Sequence, residues 1–258
     1  MDYLKYSQGN SKLDSETLIF SVSAGLTCPG ALDCHTWVKE IEGNKRQLVQ
    51  GNQCKFRCFA ASQEAVYTNT YLARKYNYEA LKSVLFSGGE PAAVELINKS
   101  LQKKRTKRIT KIRIHESGDF WSGQYLRSWI EVCRLNPDLR FYCYSKSLHL
   151  FGSNVSLPSN FYLTASMGGK YDHLIHKGYF KRYAIVVNSE DEAYALGMLH
   201  RGKPYEIDHD DSHCFGSEPF ALLVHGTQEA GSDASKAIQE RRKNNQFSGY
   251  STYRRKSK

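Results

Sequence analysis

From Ile112 onward the chain repeats one pattern, and that repeat limits the fold more than any other feature. A short β-branched or aromatic run turns polar at its end, and a helix-like stretch follows before the next run. IRI (112–114), RFYCYS (140–145), FYLTAS (161–166), RYAIVVN (182–188) and PFALLVHGTQ (219–228) are five such runs, and LIFSV (18–22) adds a sixth. Connections of this length are too long for hairpins and suit the crossovers of parallel βαβ units. One helix is clear from its stripe, with Leu126, Trp129, Ile130 and Cys133 on one face; another opens on SEDE, where Ser189 and Glu192 match a capping box. The expected fold class is α/β, a single domain forming a partial or closed, TIM-barrel-like (β/α) barrel of about six parallel strands. A doubly wound open sheet is the alternative. Residues 1–240 read as one domain, and 241–258 as a basic tail.

Four of the seven cysteines crowd into residues 28–58, as CPGALDC, nineteen further residues, and CKFRC. Thiolates at such short spacings can converge on one soft ion or one iron-sulfur cluster, so Cys28, Cys34, Cys54 and Cys58 are the expected metal ligands. A [4Fe-4S] cluster is the preferred occupant and zinc the alternative; chance packing of small buried thiols is the plain one. Cys58 falls near an expected helix N-terminus, which favours its thiolate. The odd cysteine count, the polar N-terminus and the lack of any long apolar run point to a cytoplasmic chain with no membrane partner and no disulfide framework.

In either architecture ligands bind at the carboxyl ends of the strands. The unusual polar residues sit at those ends: His115, Glu116, Ser117, Gly118 and Asp119 after one run, then Lys146, Ser166, Asn188 and His225 after later ones. Glu116 and Asp119 are expected to hold a ligand, with Lys146 and His225 as acid, base or phosphate contacts. The loop IDHDDSHC supplies Asp208, Asp210, Asp211 and His213, a set that a metal-dependent nuclease could use, although a solvated turn is the simpler reading. The tyrosines at alternate strand positions read as packing.

The formal net charge of +10 is concentrated in Lys99–Lys111 and in 241–258. Clustered Lys and Arg displace counterions from a phosphate backbone, so nucleic acid is the expected partner through these two segments.

In order along the chain, SQGNSKL, CPGALDC, CKFRCFAASQEA, RIHESGDFWS, FYCYSKS, LTASMGG, DDSHC and FALLVHGTQEAGS resemble the phage gene product 88 family, from Ser7 to Gly249. That resemblance implies a phage-encoded protein. The layout is also similar, more loosely, to radical S-adenosylmethionine enzymes, in which CxxxCxxC holds a [4Fe-4S] cluster and a GGE turn contacts the cofactor amine. Carried over, Cys54 and Cys58 take the first two ligand positions and Ser117-Gly118-Asp119 replaces GGE. Position 61, where the third cysteine belongs, is Ala61, so Cys28 or Cys34 would substitute. SGGEP (87–91) also fits the turn, but its surroundings read as helix. The expected function is therefore a metal- or cluster-binding enzyme acting on nucleic acid or nucleotides, with Ser166 and Asn188 among its cofactor contacts and S-adenosylmethionine as a further cofactor. The rival is a zinc-stabilised nucleic-acid-binding protein without catalysis.

Overall fold

The repeat read from the sequence folds as alternating strands and helices in a computed structural model that describes residues 3–42 and 45–250. In chain order the elements are β1 (Tyr6–Gln8), β2 (Thr17–Phe20), β3 (Thr36–Ile41), β4 (Lys45–Gln50), α1 (Phe59–Val66), α2 (Thr68–Lys104) and β5 (Lys111–Ile114). Then follow α3 (Gly123–Leu135), β6 (Arg140–Ser145), β7 (Phe161–Ser166), α4 (Asp172–His176), β8 (Tyr183–Val187), α5 (Glu190–Arg201), β9 (Phe220–Leu223) and α6 (Asp233–Lys243). Seven strands form one sheet in the order β1-β2-β5-β6-β7-β8-β9. Six run parallel, and β1 lies antiparallel on the edge of β2. The order never reverses, so the sheet has none of the switch points at which a doubly wound fold binds its ligands.

The two faces of the sheet are built differently, because side chains alternate along each strand. On one face Leu18, Phe20, Ile112, Ile114, Phe141 and Cys143 meet the apolar sides of α2 and α3, including Leu81, Ile97, Leu126 and Trp129. This is the main core; each large side chain fully buried there stabilises by roughly 1.5–3 kcal/mol. On the other face Tyr142, Ala184 and Phe220, with Tyr144 and Tyr162, pack against Cys214 and Phe215 from a short 3-10 turn at Ser212–Phe215. That turn plugs the face over β6 to β9 and leaves the β1, β2 and β5 side open.

Several local features depart from the sequence reading. The SQGNSKL lead-in, which reads as turn-rich from its Gly, Asn and Ser content, begins as a strand, since β1 covers Ser7 and Gln8 before the turn at Gly9 (φ 53°). The nineteen residues between the cysteine pairs contain a hairpin, β3 against β4, whose alternation was too irregular to read. SGGEP lies inside α2, at a kink where Gly89 takes φ 65° and Pro91 follows, so it is no strand-end turn. The capping box of α5 is real, but Glu192 Oε2 accepts from the backbone N–H of Asn188, one residue before the Ser189 cap. Among the described residues no helix is long and apolar enough to cross a membrane. The tail expected at 241–258 begins inside α6, where the Arg241 guanidinium donates to Val224 O. Residues 251–258 lie outside the described residues.

Candidate functional site

The carboxyl ends of β2, β5, β6, β7 and β9 converge on one mouth, and the loops there are tied to one another by backbone hydrogen bonds. The CPGALDC loop is zipped to the turn after β7: Leu32 and Asp33 donate to Gly168 O, and Lys170 N donates to Gly30 O. Gly30 has to be glycine, since a Cβ would fall 2.2 Å from Lys146 O. CKFRC folds back onto the same loop, with Lys55 N and Phe56 N donating to Asp33 O and Cys58 N donating to Thr36 Oγ1. The GTQ segment after β9 clasps CKFRC from the far side, because Gln228 Oε1 accepts from Arg57 N while its Nε2 donates to Arg57 O. Sequence blocks far apart in the chain thus form one collar.

Inside the collar is a cavity of about 190 Å³ lined by Cys28, Cys34, Cys58, Lys146, Asp119 and Ser166, among others. Three of the four expected cysteines face it. Cys54 does not; its Sγ donates to Phe56 O at 3.2 Å and lies 3.5 Å from Thr36 Oγ1. Burial pushes the Cys28 thiol well above its usual range, raises Cys34, and takes Cys58 to about 12. Cys58 does sit at the N-cap of α1, and backbone N–H groups of Ala60 and Ala61 favour its thiolate, but desolvation outweighs them. The Lys146 ammonium, 8 % exposed, favours the Cys34 thiolate. Its Nζ donates to Ser166 Oγ at 2.6 Å and to Met167 O, so it brings a positive charge to the edge of the cavity, near enough to Asp119 to favour that carboxylate.

The remaining expected residues divide by what they touch. Both Asp119 oxygens are engaged: Oδ1 accepts from Ser145 Oγ (2.7 Å) and Phe120 N (2.7 Å), and Oδ2 from Lys146 N (2.8 Å) and Ser147 N (3.1 Å). Burial still raises its pKa. Asp119 therefore pins the β6 end to the β5 end, with no oxygen left over for an incoming amine. Ser117 and Gly118 hold the neighbouring turn, Ser117 Oγ donating to Glu64 Oε1 and Gly118 taking φ 88° against Val22 and Thr27. Glu116 is the carboxylate at the rim, accepting from Asn10 Nδ2 at 2.7 Å and from Arg74 at 3.4 Å. His225 stacks on Phe59 (4.8 Å between ring centroids) and, by burial, is held neutral with a pKa near 3. Asn188 is absent from the cavity lining. Sequence reasoning missed Glu64, which is 1 % exposed and accepts from Ala24 N, Ser117 Oγ and Arg74. A lone Glu inside a helical run gives no signal of such a role.

The aspartate loop forms a different cluster. Among the described residues, only Asp208, Asp211 and Cys214 bring three metal-type ligand atoms within 4.8 Å of one another. Asp211, however, is already clamped between Lys12 and Arg113 and accepts from Tyr144 Oη at 2.9 Å. These two cations hold its pKa down to about 2, while burial pushes the Cys214 thiol up to about 12. His213 lies 3.0 Å from Glu206 and 3.4 Å from Asp208. Asp210 is exposed, and its Oδ1 accepts from Ser212 N. The cluster is a buried ion-pair network that ties the lead-in to the plug.

The Lys99–Lys111 run occupies the end of α2 and the entry to β5. It therefore lies at the opposite end of the strands from the mouth.

A protein-family model described as Gene product 88 matches residues 4–245. A curated relative, "Gene 88 protein" of Mycobacterium phage L5, is 28% identical over 94 residues, covering 36% of this chain and 39% of that protein. No solved structure matches. With nearly the whole length matched, the chain belongs to the gene product 88 family of phage proteins.

Proposed function

We propose that this member of the gene product 88 family is an iron-sulfur enzyme whose cluster is held by Cys28, Cys34 and Cys58 in the cavity at the strand ends. One observation carries the reading: Cys28, Cys34 and Cys58 line a single small cavity beside a buried lysine, while Cys54 lies outside that lining, near Cys34, with its Sγ donating to Phe56 O. The spacing argues for a cluster over a single ion. Zinc with bonds of about 2.3 Å draws its thiolates to within about 4 Å of one another, whereas no three of these cysteines fall within 4.8 Å. The volume argues the same way, since about 190 Å³ lies below the roughly 300–1,000 Å³ of sites for organic ligands. Bound by three thiolates, such a cluster offers an open iron for ligand or electron-transfer chemistry. The chain supplies the rest: the Lys146 ammonium offsets thiolate charge, Asp119 fixes the turn that carries Lys146, and Phe59, His225 and the collar limit water. The six parallel strands and their unreversed order support a partial (β/α) barrel as the scaffold. Nucleic acid or a nucleotide is the proposed substrate class, on the strength of the chain's positive charge. S-adenosylmethionine is left out of the proposed cofactors, because the carboxylate that would meet its amine, that of Asp119, is already engaged.

Anaerobic purification with iron, sulfide and zinc analysis and a visible spectrum tests this. Iron and sulfide with a broad visible absorption are expected. Stoichiometric zinc without colour would replace the reading with a structural clip, and neither metal would remove it.

A further inference from the structure

The small cavity opens past Glu116, His225 and Phe59 into a groove of about 1,170 Å³, whose walls come from β1, β2, the start of α2, α6 and the segment ending at Tyr250. We propose that this groove binds a single-stranded nucleic acid and leads it to the mouth. The inference deepens the substrate class of the proposed enzyme, and it rests on the cluster reading only for what happens to the strand, not for its binding.

Size comes first. The groove exceeds the roughly 300–1,000 Å³ of small-molecule sites, which suits a stretch of polymer. Charge comes second. Lys5, Lys12, Arg74, Arg113 and Arg242 line it against a single carboxylate, Glu116. Lys12 and Arg113 are spent on Asp211, and Arg74 on Glu64 and Glu116, while the exposed Lys5 and Arg242 stand at the rim. An anionic chain meets net positive charge along this path.

Surface chemistry decides between polyanions. Val66 and Tyr67, 68 % and 60 % exposed, sit in the groove where α1 breaks, and Tyr250 and His225 stand further in. Aromatic faces beside cations form the stacking platform of single-strand binders, because every base has a π-face. Between them Gln63, Asn69 and Gln239 offer amides, which can both donate to and accept from base edges. A duplex would hide those faces and edges, so the groove favours unpaired strands. The placement also moves the nucleic-acid contact away from the Lys99–Lys111 run, which lies at the other end of the strands.

The test is fluorescence anisotropy with a short labelled oligothymidylate on the purified full chain. Lys5→Glu combined with Arg242→Glu is expected to weaken binding by at least about tenfold and to lower the salt slope by about two. Tyr67→Ala should weaken it by roughly tenfold with the salt slope unchanged. Lys104→Glu with Lys107→Glu should leave it as it was. All these positions are exposed, and unchanged melting confirms that the variants fold. Cys58→Ala should lose iron yet bind the strand, which separates failure of the groove from failure of the cluster. The proposal is overturned if the Lys5/Arg242 variant binds like the wild type, if duplex binds as tightly as single strand, or if polyglutamate competes equally.

Discussion

The aspartate cluster and the cysteine cavity both carry metal-type ligands, and they differ in the partners already supplied to their charges. The aspartate cluster is the tighter, with Asp208, Asp211 and Cys214 within 4.8 Å. Lys12 and Arg113 already balance Asp211 there. The cysteine cavity is looser, and its thiols are raised by burial next to a lysine whose Nζ donates to Ser166 Oγ and Met167 O. Ligand spacing alone would favour the first cluster; the proposed iron-sulfur site follows charge balance and takes the second. A buried carboxylate that holds two cations is a finished structural unit. Three half-buried thiols facing a cavity are neutral while protonated, and an incoming metal would have to displace those protons.

The largest effect that would sharpen this contrast is expected at Asp211. Its replacement by Ala removes the carboxylate that pairs with both Lys12 and the buried Arg113 and should cost about 3–5 kcal/mol in denaturant unfolding, with bound iron per folded chain unchanged. A metal role for the cluster would instead appear as stabilisation by added magnesium or manganese in the wild type, which the ion pairing argues against.

Acid should separate the same two regions. Burial lowers His115 and His225 from 6.5 to about 3, so the folded chain refuses protons that the unfolded chain accepts. Stability is then complete above about pH 6.5 and falls as the pH drops towards 3. Asp211, held near 2 against an ordinary 3.8, contributes above 3.8 and is lost only as the pH falls through 2. Chemical melts from pH 7 to pH 3 should show the histidine slope in the wild type and a flatter one in His115→Gln with His225→Gln. A stability that holds down to pH 4 would contradict the burial argument.

A smaller change probes the collar. Gly30→Ala pushes a Cβ into Lys146 O and should cost about 1–3 kcal/mol while lowering iron content. Cys54→Ala is the smallest, with less than about 1 kcal/mol expected from two weak sulfur contacts.

The scaffold was legible because it rests on local chemistry. Leu126, Trp129 and Ile130 declared their buried face, Ser189 its cap, and the strand runs their polar ends, so the six parallel strands lie where the runs predict them. The site was legible in part, since strand ends collect at one mouth whatever the detail. Which side chains face the cavity was not, because this depends on partners distant in sequence. Asp119 looks free until Ser145 and the 146–147 backbone arrive. Cys54 looks equivalent to Cys58 until the β3–β4 hairpin sets the path between the cysteine pairs, and Glu64 is silent until Ala24 and Ser117 close on it. The place of the basic runs was hidden for the same reason: charge in sequence says nothing of which end of a strand it will occupy, and the structure sets Lys99–Lys111 at the end away from the mouth and Arg242 beside the groove.

The most direct test of the central claim is iron and sulfide content per chain, with the visible spectrum, in anaerobically prepared wild type, Cys28→Ala, Cys34→Ala, Cys58→Ala and Cys54→Ala. Three ligands facing the cavity and one turned aside predict that the first three variants lose the cluster while Cys54→Ala keeps iron, sulfide and absorption at wild-type levels. Loss of the cluster in Cys54→Ala, or its retention in Cys58→Ala, would contradict the account.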